Sequence, residues 1–501
     1  MRRSQQHPSR IAVVGALACL SILLLAISSV KAESGPGFAP GSRTFLVTPG
    51  PFPNQIYLPL MMKRFPLETL YGVEMAAVAA SNGLDLVADA QVTWVRRNGV
   101  VWSELQPQKD QAPDWAQLSG LEQELINAFE RDLQVILVIR GTPVWARLYP
   151  DSQCGPIKPS EYGSFASFVA QLVGRYKEPP YGVKYWQIWN EPDAPVNNTT
   201  NPYGCWGDTA DAAYYGGDDY GRMLVAVYPA IKAADPAAQV LIGGLLLDCD
   251  PAGGCGPGSQ PPEAARFLDG ILAAGAGGSF DGVAFHAYDH YAGQLGHYNN
   301  PNWQSSWDGQ GPVVAAKAAF LREALAARGV GGKYLLNTET ALICGAFADP
   351  PGQGICSSDP NLAFELTKAD YLAQTYGAAL AEGLRANIWY SVLGWRNSAL
   401  LNGDLTPRPA YQALAYARVT LPDPVYQGKL TAGEVGGASV LGYKFAQGGR
   451  TVWLLWSTST APQSIALASP PSEVRNSRGE ADPELVDGIL SPGKTLYLIW
   501  S

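Results

Sequence analysis

The sequence predicts an α/β protein: a (β/α)8 barrel of the TIM type followed by a small C-terminal antiparallel β-sandwich. Three observations predict it. Between about residues 66 and 420, short runs rich in Val, Ile, Leu and aromatic residues alternate with longer Ala-rich stretches, the pattern that βαβ units leave in a sequence. The apolar runs number eight, which is what a closed barrel of this type needs. Beyond Thr420 the Ala-rich stretches stop, and Pro422 and Pro424 are followed by short β-rich runs punctuated by Gly436-Gly437 and Gly448-Gly449, a sandwich pattern.

In chain order, residues 1–32 read as a signal peptide. Arg2, Arg3 and Arg10 precede the uncharged stretch from Ile11 to Val30, and Val30-Lys31-Ala32 supplies the small residues a signal peptidase needs. The predicted location is therefore secreted. An uncleaved membrane anchor is the alternative, because the apolar stretch approaches the ~20 residues that span a bilayer; after cleavage no membrane contact is expected. Residues 33–65 form a Pro/Gly-rich linker, with Gly35-Pro36-Gly37 and Pro49-Gly50-Pro51-Phe52-Pro53. The predicted barrel strands are Leu70 to Met75, Thr93 to Asn98, Gln134 to Arg140, Lys184 to Trp189, Gln239 to Gly243, Gly282 to His286, Tyr334 to Asn337 and Ala386 to Ser391. Helical segments between them include Leu118 to Phe129, Tyr162 to Tyr176, Tyr220 to Ala234, Ala264 to Ala274, Val313 to Arg328 and Leu362 to Glu382. The barrel spans 66–420 and the sandwich 421–501, with strands expected at Ser439 to Phe445, Thr451 to Trp456 and Thr495 to Trp500.

Composition narrows the function. A net charge of -9 excludes a nucleic-acid partner, because binding a phosphate backbone requires clustered Lys and Arg. Fourteen Trp and 24 Tyr suit a neutral ligand, since flat aromatic faces with polar tips pack on sugar rings as readily as they fill a core. Cys19 leaves with the signal, so the mature cysteines are an even set: Cys154, Cys205, Cys249, Cys255, Cys344 and Cys356. Six cysteines allow fifteen pairings. Cys249 with Cys255 and Cys344 with Cys356 each close a short Gly/Pro-rich loop, which leaves Cys154 with Cys205. The tight paired spacing of a thiolate metal site is missing.

Two carboxylates carry the chemistry. In Tyr185-Trp186-Gln187-Ile188-Trp189-Asn190-Glu191-Pro192 an apolar strand ends in an amide, an acid and a proline. Barrel active sites lie at the C-terminal ends of the strands, and Pro192 turns the chain so that Glu191 stands at the rim. Tyr334-Leu335-Leu336-Asn337-Thr338-Glu339-Thr340 brings a second acid to the end of the seventh run. Cleaving a glycosidic bond needs one carboxyl to protonate the leaving oxygen and another to attack the anomeric carbon or activate water. The gap between them, ~5–5.5 Å against ~6.5–9.5 Å, selects retention or inversion. Glu191 and Glu339 are the candidate catalytic pair. No Walker loop, Rossmann glycine fingerprint or His-x-x-x-His pair occurs, and His290 and His297 are too far apart to suggest ligands. No cofactor and no metal are expected.

On these motifs the stretch 66–420 resembles the clan A glycoside hydrolases, families 39 and 5 in particular. The resemblance implies retaining hydrolysis of β-glycosidic bonds in a poly- or oligosaccharide, with Glu191, which follows Asn190, as general acid/base and Glu339 as nucleophile. Two alternatives share these features: a catalytically silent glycan-binding barrel, and a transglycosylase using the same residues. The resemblance also implies that Asn190 binds the sugar 2-hydroxyl, that His286 lies beside the nucleophile, and that Tyr288 hydrogen-bonds Glu339. By the same likeness Arg96 is the second-strand Arg that keeps the nucleophile ionised, with Arg97 the competing choice. Trp389 forms the floor under the sugar being cleaved, or Trp395 in its place. Trp303 and Trp307 either line distal sugar positions or pack in their loop. Thr340 and Ala341 stand where similar enzymes often carry Gly.

Overall fold

The computed structural model describes residues 69–152, 154–196, 205–248, 261–298, 307, 311–344, 362–437, 439–483, 485 and 488–501. The predicted signal peptide and linker, Trp303, Cys249, Cys255 and Cys356 lie outside the described residues. The chain divides into two units, residues 1–63 and 64–501, and all described residues belong to the second.

Eight parallel strands close into a barrel: β1 (Tyr71–Glu74), β2 (Trp94–Val101), β3 (Gln134–Arg140), β4 (Tyr185–Asn190), β5 (Gln239–Leu245), β6 (Gly282–His290), β7 (Tyr334–Ile343) and β8 (Ala386–Trp389). Closure is made by β8 pairing with β1, Gly72 opposite Ile388. Most of these strands contain apolar runs because both faces are covered, and β2, β4, β6 and β7 also carry polar residues. Inside the barrel, Trp94, Ile136, Tyr185, Leu241, Leu336, Ala386 and Ile388 form one packed cluster, so the lower half is solid, as such barrels require. Trp94 and Tyr185 meet edge-on at 4.6 Å, and the Trp94 indole N–H donates to the Thr69 carbonyl at 2.7 Å.

The outer ring consists of α1 (Leu84–Asp89), α2 (Ser119–Glu130), α3 (Tyr162–Tyr176), α4 (Gly217–Ala234), α5 (Phe267–Ala273), α6 (Val314–Ala327), α7 (Leu362–Ala381) and α8 (Pro409–Thr420). Helical periodicity sets what each buries. In α3 the buried set is Tyr162, Phe165, Ala166, Phe168, Val169, Leu172, Val173 and Tyr176, one stripe facing the strands. Tyr71 of β1 stacks on Tyr376 of α7 at 4.9 Å and donates to the carbonyls of Ala417 and Leu421, both at 3.0 Å, which ties the first strand to the last helix.

Two strands run furthest past their expected ends. β6 was expected to stop at His286 and β7 at Asn337, yet they continue as a pair to His290 and Ile343. Glu339 therefore sits inside β7, opposite His286, rather than at its end. The polar run Asn337-Thr338-Glu339-Thr340 hides this continuation. The extension is possible because β6 and β7 need only each other above the rim: β8 ends at Trp389, opposite Thr340.

The C-terminal region is antiparallel. Strands β9 (Val425–Lys429), β10 (Val440–Gln447), β11 (Arg450–Ser457), β13 (Glu473–Asn476) and β15 (Thr495–Trp500) form one sheet in the order β13-β15-β11-β10-β9, and β12 (Gln463–Ser464) pairs with β14 (Ile489–Leu490). Alternation splits the sheet's two faces. Phe445, Val452, Leu454, Trp456, Tyr497 and Ile499 join the barrel's core, whereas Leu455, Leu496 and Leu498 pack with Ile465 and Leu490 on the other side. The approach to α7 is close. A Cβ on Gly377 would lie 2.4 Å from Leu454 Cδ2, so a larger residue there would have to displace that side chain.

Candidate active site

The site is assembled at the C-terminal rim of the barrel from side chains of β1, β2, β4, β6 and β7, above the packed interior. Arg96 of β2 is its hub. It is fully buried, and each of its nitrogens meets an acceptor: Nε donates to Gln187 Oε1 at 3.2 Å, Nη2 to Asn190 Oδ1, and Nη1 both to Glu339 Oε1 at 2.6 Å and to Glu74 Oε2. Burial disfavours the guanidinium charge, but Glu74 and Glu339 more than offset it and hold the proton. Arg97, the neighbour on the opposite face of the strand, pairs with Glu124 at 2.6 Å and bonds none of these acids or amides. Strand alternation decides between the two.

Glu339 accepts on both oxygens, from Arg96 on Oε1 and from the Tyr288 hydroxyl on Oε2. Burial, helped by Glu339 and Tyr390, pushes the Tyr288 phenol well above its ordinary range, so Tyr288 remains a donor at any working pH. Glu191 follows the last residue of β4 with φ at +45, and Trp189 has φ at +77. Non-glycine residues in this region carry backbone strain, ~1–3 kcal/mol each, and such residues cluster at functional positions. The turn is held by the Glu191 amide donating to the Gly244 carbonyl and by Ala194 donating back to Glu191, both at 2.9 Å.

His286 lies between the two acids, its Nδ1 2.9 Å from Glu191 Oε1 and 3.5 Å from Glu339 Oε2. Burial pushes the imidazole down to about 3, against the pull of Glu339, so the ring is neutral. A neutral ring nitrogen can donate to an ionised carboxylate or accept from a protonated one, so His286 can stay paired with Glu191 in either state. Among the described residues Nε2 has no hydrogen-bond partner. It packs instead against the bare Cα of Gly244, where a Cβ would lie only 2.1 Å away.

Carboxylate oxygens of Glu191 and Glu339 and a ring nitrogen of His286 all lie within 4.8 Å of one another. These three residues are also the described ones that could hold a metal ion. However, both Glu339 oxygens already accept from Arg96 and Tyr288, and Arg96 already supplies positive charge, so the set fits proton transfer and nucleophilic attack better than cation binding.

The aromatic residues sort differently from expectation. Trp389 is fully buried, its indole N–H donates to the Ser398 carbonyl at 2.9 Å, and its ring packs toward Tyr371 at 6.2 Å. It therefore cannot form a floor under a sugar: its position in β8 turns it toward the helices. The rings that border the two acids are Tyr288, Tyr390 and Trp395. Trp395 lies 5.7 Å from Tyr288 and 5.4 Å from Tyr390, and it is 40% exposed. Trp307 is buried, donates to the Leu247 carbonyl at 2.9 Å and packs edge-on against Phe320, so it offers no face to a ligand.

Sequence reasoning missed Glu74, Gln187 and Tyr390. Glu74 is a third carboxylate in the site. Burial pushes it up to about 7, Arg96 pulls against this, and Glu339 adds to the rise. The available signal was its place: Glu74 ends a barrel strand much as Asn190-Glu191 does.

Of the predicted disulfides, Cys154–Cys205 is formed. Cys344 is also disulfide-bonded.

No family model and no curated protein matches the sequence. Solved structures do match in fold. A family 39 glycoside hydrolase from Bacteroides cellulosilyticus WH2 superposes with a TM-score of 0.60 at 20% identity, covering 86% of this chain and 81% of that one. A conserved exported protein from Bacteroides fragilis gives 0.57 at 13%, covering 86% and 97%. A GH30 endoxylanase from Clostridium papyrosolvens C71 gives 0.53 at 11%, covering 87% and 96%. The barrel with its C-terminal antiparallel sheet is thus the fold of the clan A glycoside hydrolases.

Proposed function

We propose that this protein is a secreted retaining glycoside hydrolase acting on β-glycosidic bonds of a poly- or oligosaccharide, with Glu191 as general acid/base and Glu339 as nucleophile. The observation that carries this reading is the approach of the two acids within 4.8 Å, which matches the ~5–5.5 Å spacing of double displacement and leaves no room for the water that inversion places between them. Glu339 attacks the anomeric carbon while Glu191 gives its proton to the departing oxygen. The glycosidic C–O bond breaks and a glycosyl ester forms. Glu191, now a carboxylate, takes a proton from water as that water attacks the same carbon and frees Glu339.

The supporting groups have assigned parts. Arg96 and Tyr288 hold Glu339 in line, and because Arg96 claims the Asn190 oxygen, the Asn190 amide N–H2 is what remains to donate to a sugar hydroxyl. Such a bond strengthens as charge develops. Tyr390 and Trp395 take the aromatic platform that Trp389 cannot supply. Export is supported by the basic and apolar N-terminal sequence and by the Cys154–Cys205 disulfide, since disulfides persist in oxidising compartments. No helix among the described residues is long and apolar enough to cross a membrane.

The test uses aryl β-glycosides carrying a good leaving group, screened across sugars. Glu191→Ala should keep attack on them and regain turnover when azide is added, while Glu339→Ala should lose activity by about 10⁴-fold or more. Equal and mild losses in both variants would refute the pairing.

A further inference from the structure

The proposed cycle leaves a charge problem at Arg96. Its guanidinium is fully buried, and one nitrogen, Nη1, serves both Glu339 Oε1 and Glu74 Oε2. Its other two nitrogens meet only the amide oxygens of Asn190 and Gln187. Once Glu339 is an ester it carries no charge, and a buried cation without a counter-ion is strongly disfavoured. Among the described residues, the only other carboxylate bonded to Arg96 is Glu74.

We propose that Glu74 is a positioning residue, the counter-ion of Arg96 for as long as Glu339 is covalently occupied. This rests on the retaining chemistry proposed above. In the resting enzyme two carboxylates compete for one buried cation, and Glu74 carries a proton for much of the time near neutrality, in keeping with a carboxyl raised to about 7. As the glycosyl ester forms, Glu339 stops competing and Glu74 ionises, releasing its proton to solvent. When water hydrolyses the ester, Glu339 regains its charge and Glu74 takes a proton back. Net charge around Arg96 then stays nearly constant through the cycle. The groups facing Glu74 fit this role: Arg96 and the more distant Arg97 from β2, Glu339 from β7 and Tyr390 after β8, with Glu191, His286 and Tyr288 on the far side of Glu339.

Glu339→Gln mimics the ester, since it leaves an uncharged acceptor opposite Arg96. The full chain is labelled with glutamate carrying ¹³C at the side-chain carboxyl, and the Glu74 signal, assigned by its loss in Glu74→Gln, is titrated by NMR. Its midpoint should fall by at least one pH unit from wild type to Glu339→Gln; an unchanged or higher midpoint overturns the proposal. In thermal unfolding, the double variant Glu74→Gln/Glu339→Gln should lose more than the two single variants together, and adding Arg96→Met should restore part of the loss. Additive losses overturn it.

A 2-deoxy-2-fluoro glycoside of the sugar found in the screen provides the kinetic arm. Ester formation on Glu339, followed by mass spectrometry, should be at least tenfold slower in Glu74→Gln, and the inflection of kcat/KM near pH 7 should vanish. No ester on Glu339 of the wild type would remove the retaining reading and the role of Glu74 with it. An ester that forms at the wild-type rate in Glu74→Gln overturns the counter-ion alone.

Discussion

Gly244→Ala tests whether the site depends on close packing around His286. A Cβ at this β5 position would lie 2.1 Å from His286 Nε2 and 2.9 Å from Thr338 Oγ1, whereas ordinary contact begins near 3.4 Å. The imidazole must retreat by roughly 1.3 Å to accept the methyl. It has nowhere to go without leaving Glu191, because His286 is fully buried and its Nδ1 stands 2.9 Å from Glu191 Oε1. Gly244 also pairs with Asn190 and accepts from the Glu191 amide, so any backbone response moves the same acid. Overpacking costs about 1–3 kcal/mol and a displaced hydrogen bond to a charged group adds about 1.5 kcal/mol. The expected destabilisation is about 2.5–4.5 kcal/mol, a fall in Tm of roughly 3–5 °C for a folded unit spanning residues 64–501, together with a loss of at least tenfold in kcat/KM. Differential scanning calorimetry and aryl-glycoside kinetics read both. Gly244→Ala/His286→Ser should recover stability relative to the sum of the singles, because the colliding ring is gone. A Gly244→Ala protein within about 0.5 kcal/mol of wild type and unchanged in kinetics would refute the reasoning.

Three further outcomes are expected. Tyr288→Phe removes one of the two donors on Glu339 while keeping the ring against Tyr390 and Trp395; a hydrogen bond to a charged group contributes about 1.5–3 kcal/mol, so kcat/KM should drop about 10- to 150-fold with Tm nearly unchanged. Trp389→Ala should destabilise by about 3–5 kcal/mol through the cavity it leaves, whereas Trp395→Ala should leave Tm nearly intact and raise KM; the reverse pattern would restore Trp389 as the platform. His290 is buried and burial pushes its imidazole down to about 3, below the unfolded value of about 6.5, so the unfolded chain binds a proton that the native state refuses between those values. Its contribution is complete above about pH 6.5 and is lost as the pH falls toward 3, so the stability of wild type relative to His290→Gln should decline on acidification by up to about 1.4 kcal/mol per pH unit. Urea titrations at several pH values measure it, and a flat difference would show that His290 protonates in the folded protein.

How much of this was readable in the chain depends on how local the determining physics is. The eight strands stand out because parallel barrel strands are covered on both faces, so each carries a run of apolar residues, as in Val135-Ile136-Leu137-Val138-Ile139. The helices stand out because burial on one side imposes a 3.6-residue period, as in Tyr162–Tyr176. Where polarity interrupts an element, the reading fails: Thr338-Glu339-Thr340 looks like a strand end but continues to Ile343 because β6 runs alongside it.

By itself the sequence determined the layered architecture and which acids terminate or interrupt apolar strands, since hydrophobic period and residue type are properties of a short window. Tertiary structure alone decided who meets whom. Glu74 and Glu339, far apart in the chain, share one nitrogen of Arg96 only because barrel closure brings these positions of β1, β2 and β7 to one rim. Arg96 rather than Arg97, and Trp395 rather than Trp389, face that rim because strand parity and the point where β8 ends set each side chain's direction. Those choices depend on register and closure around the whole barrel, which no local stretch of residues encodes.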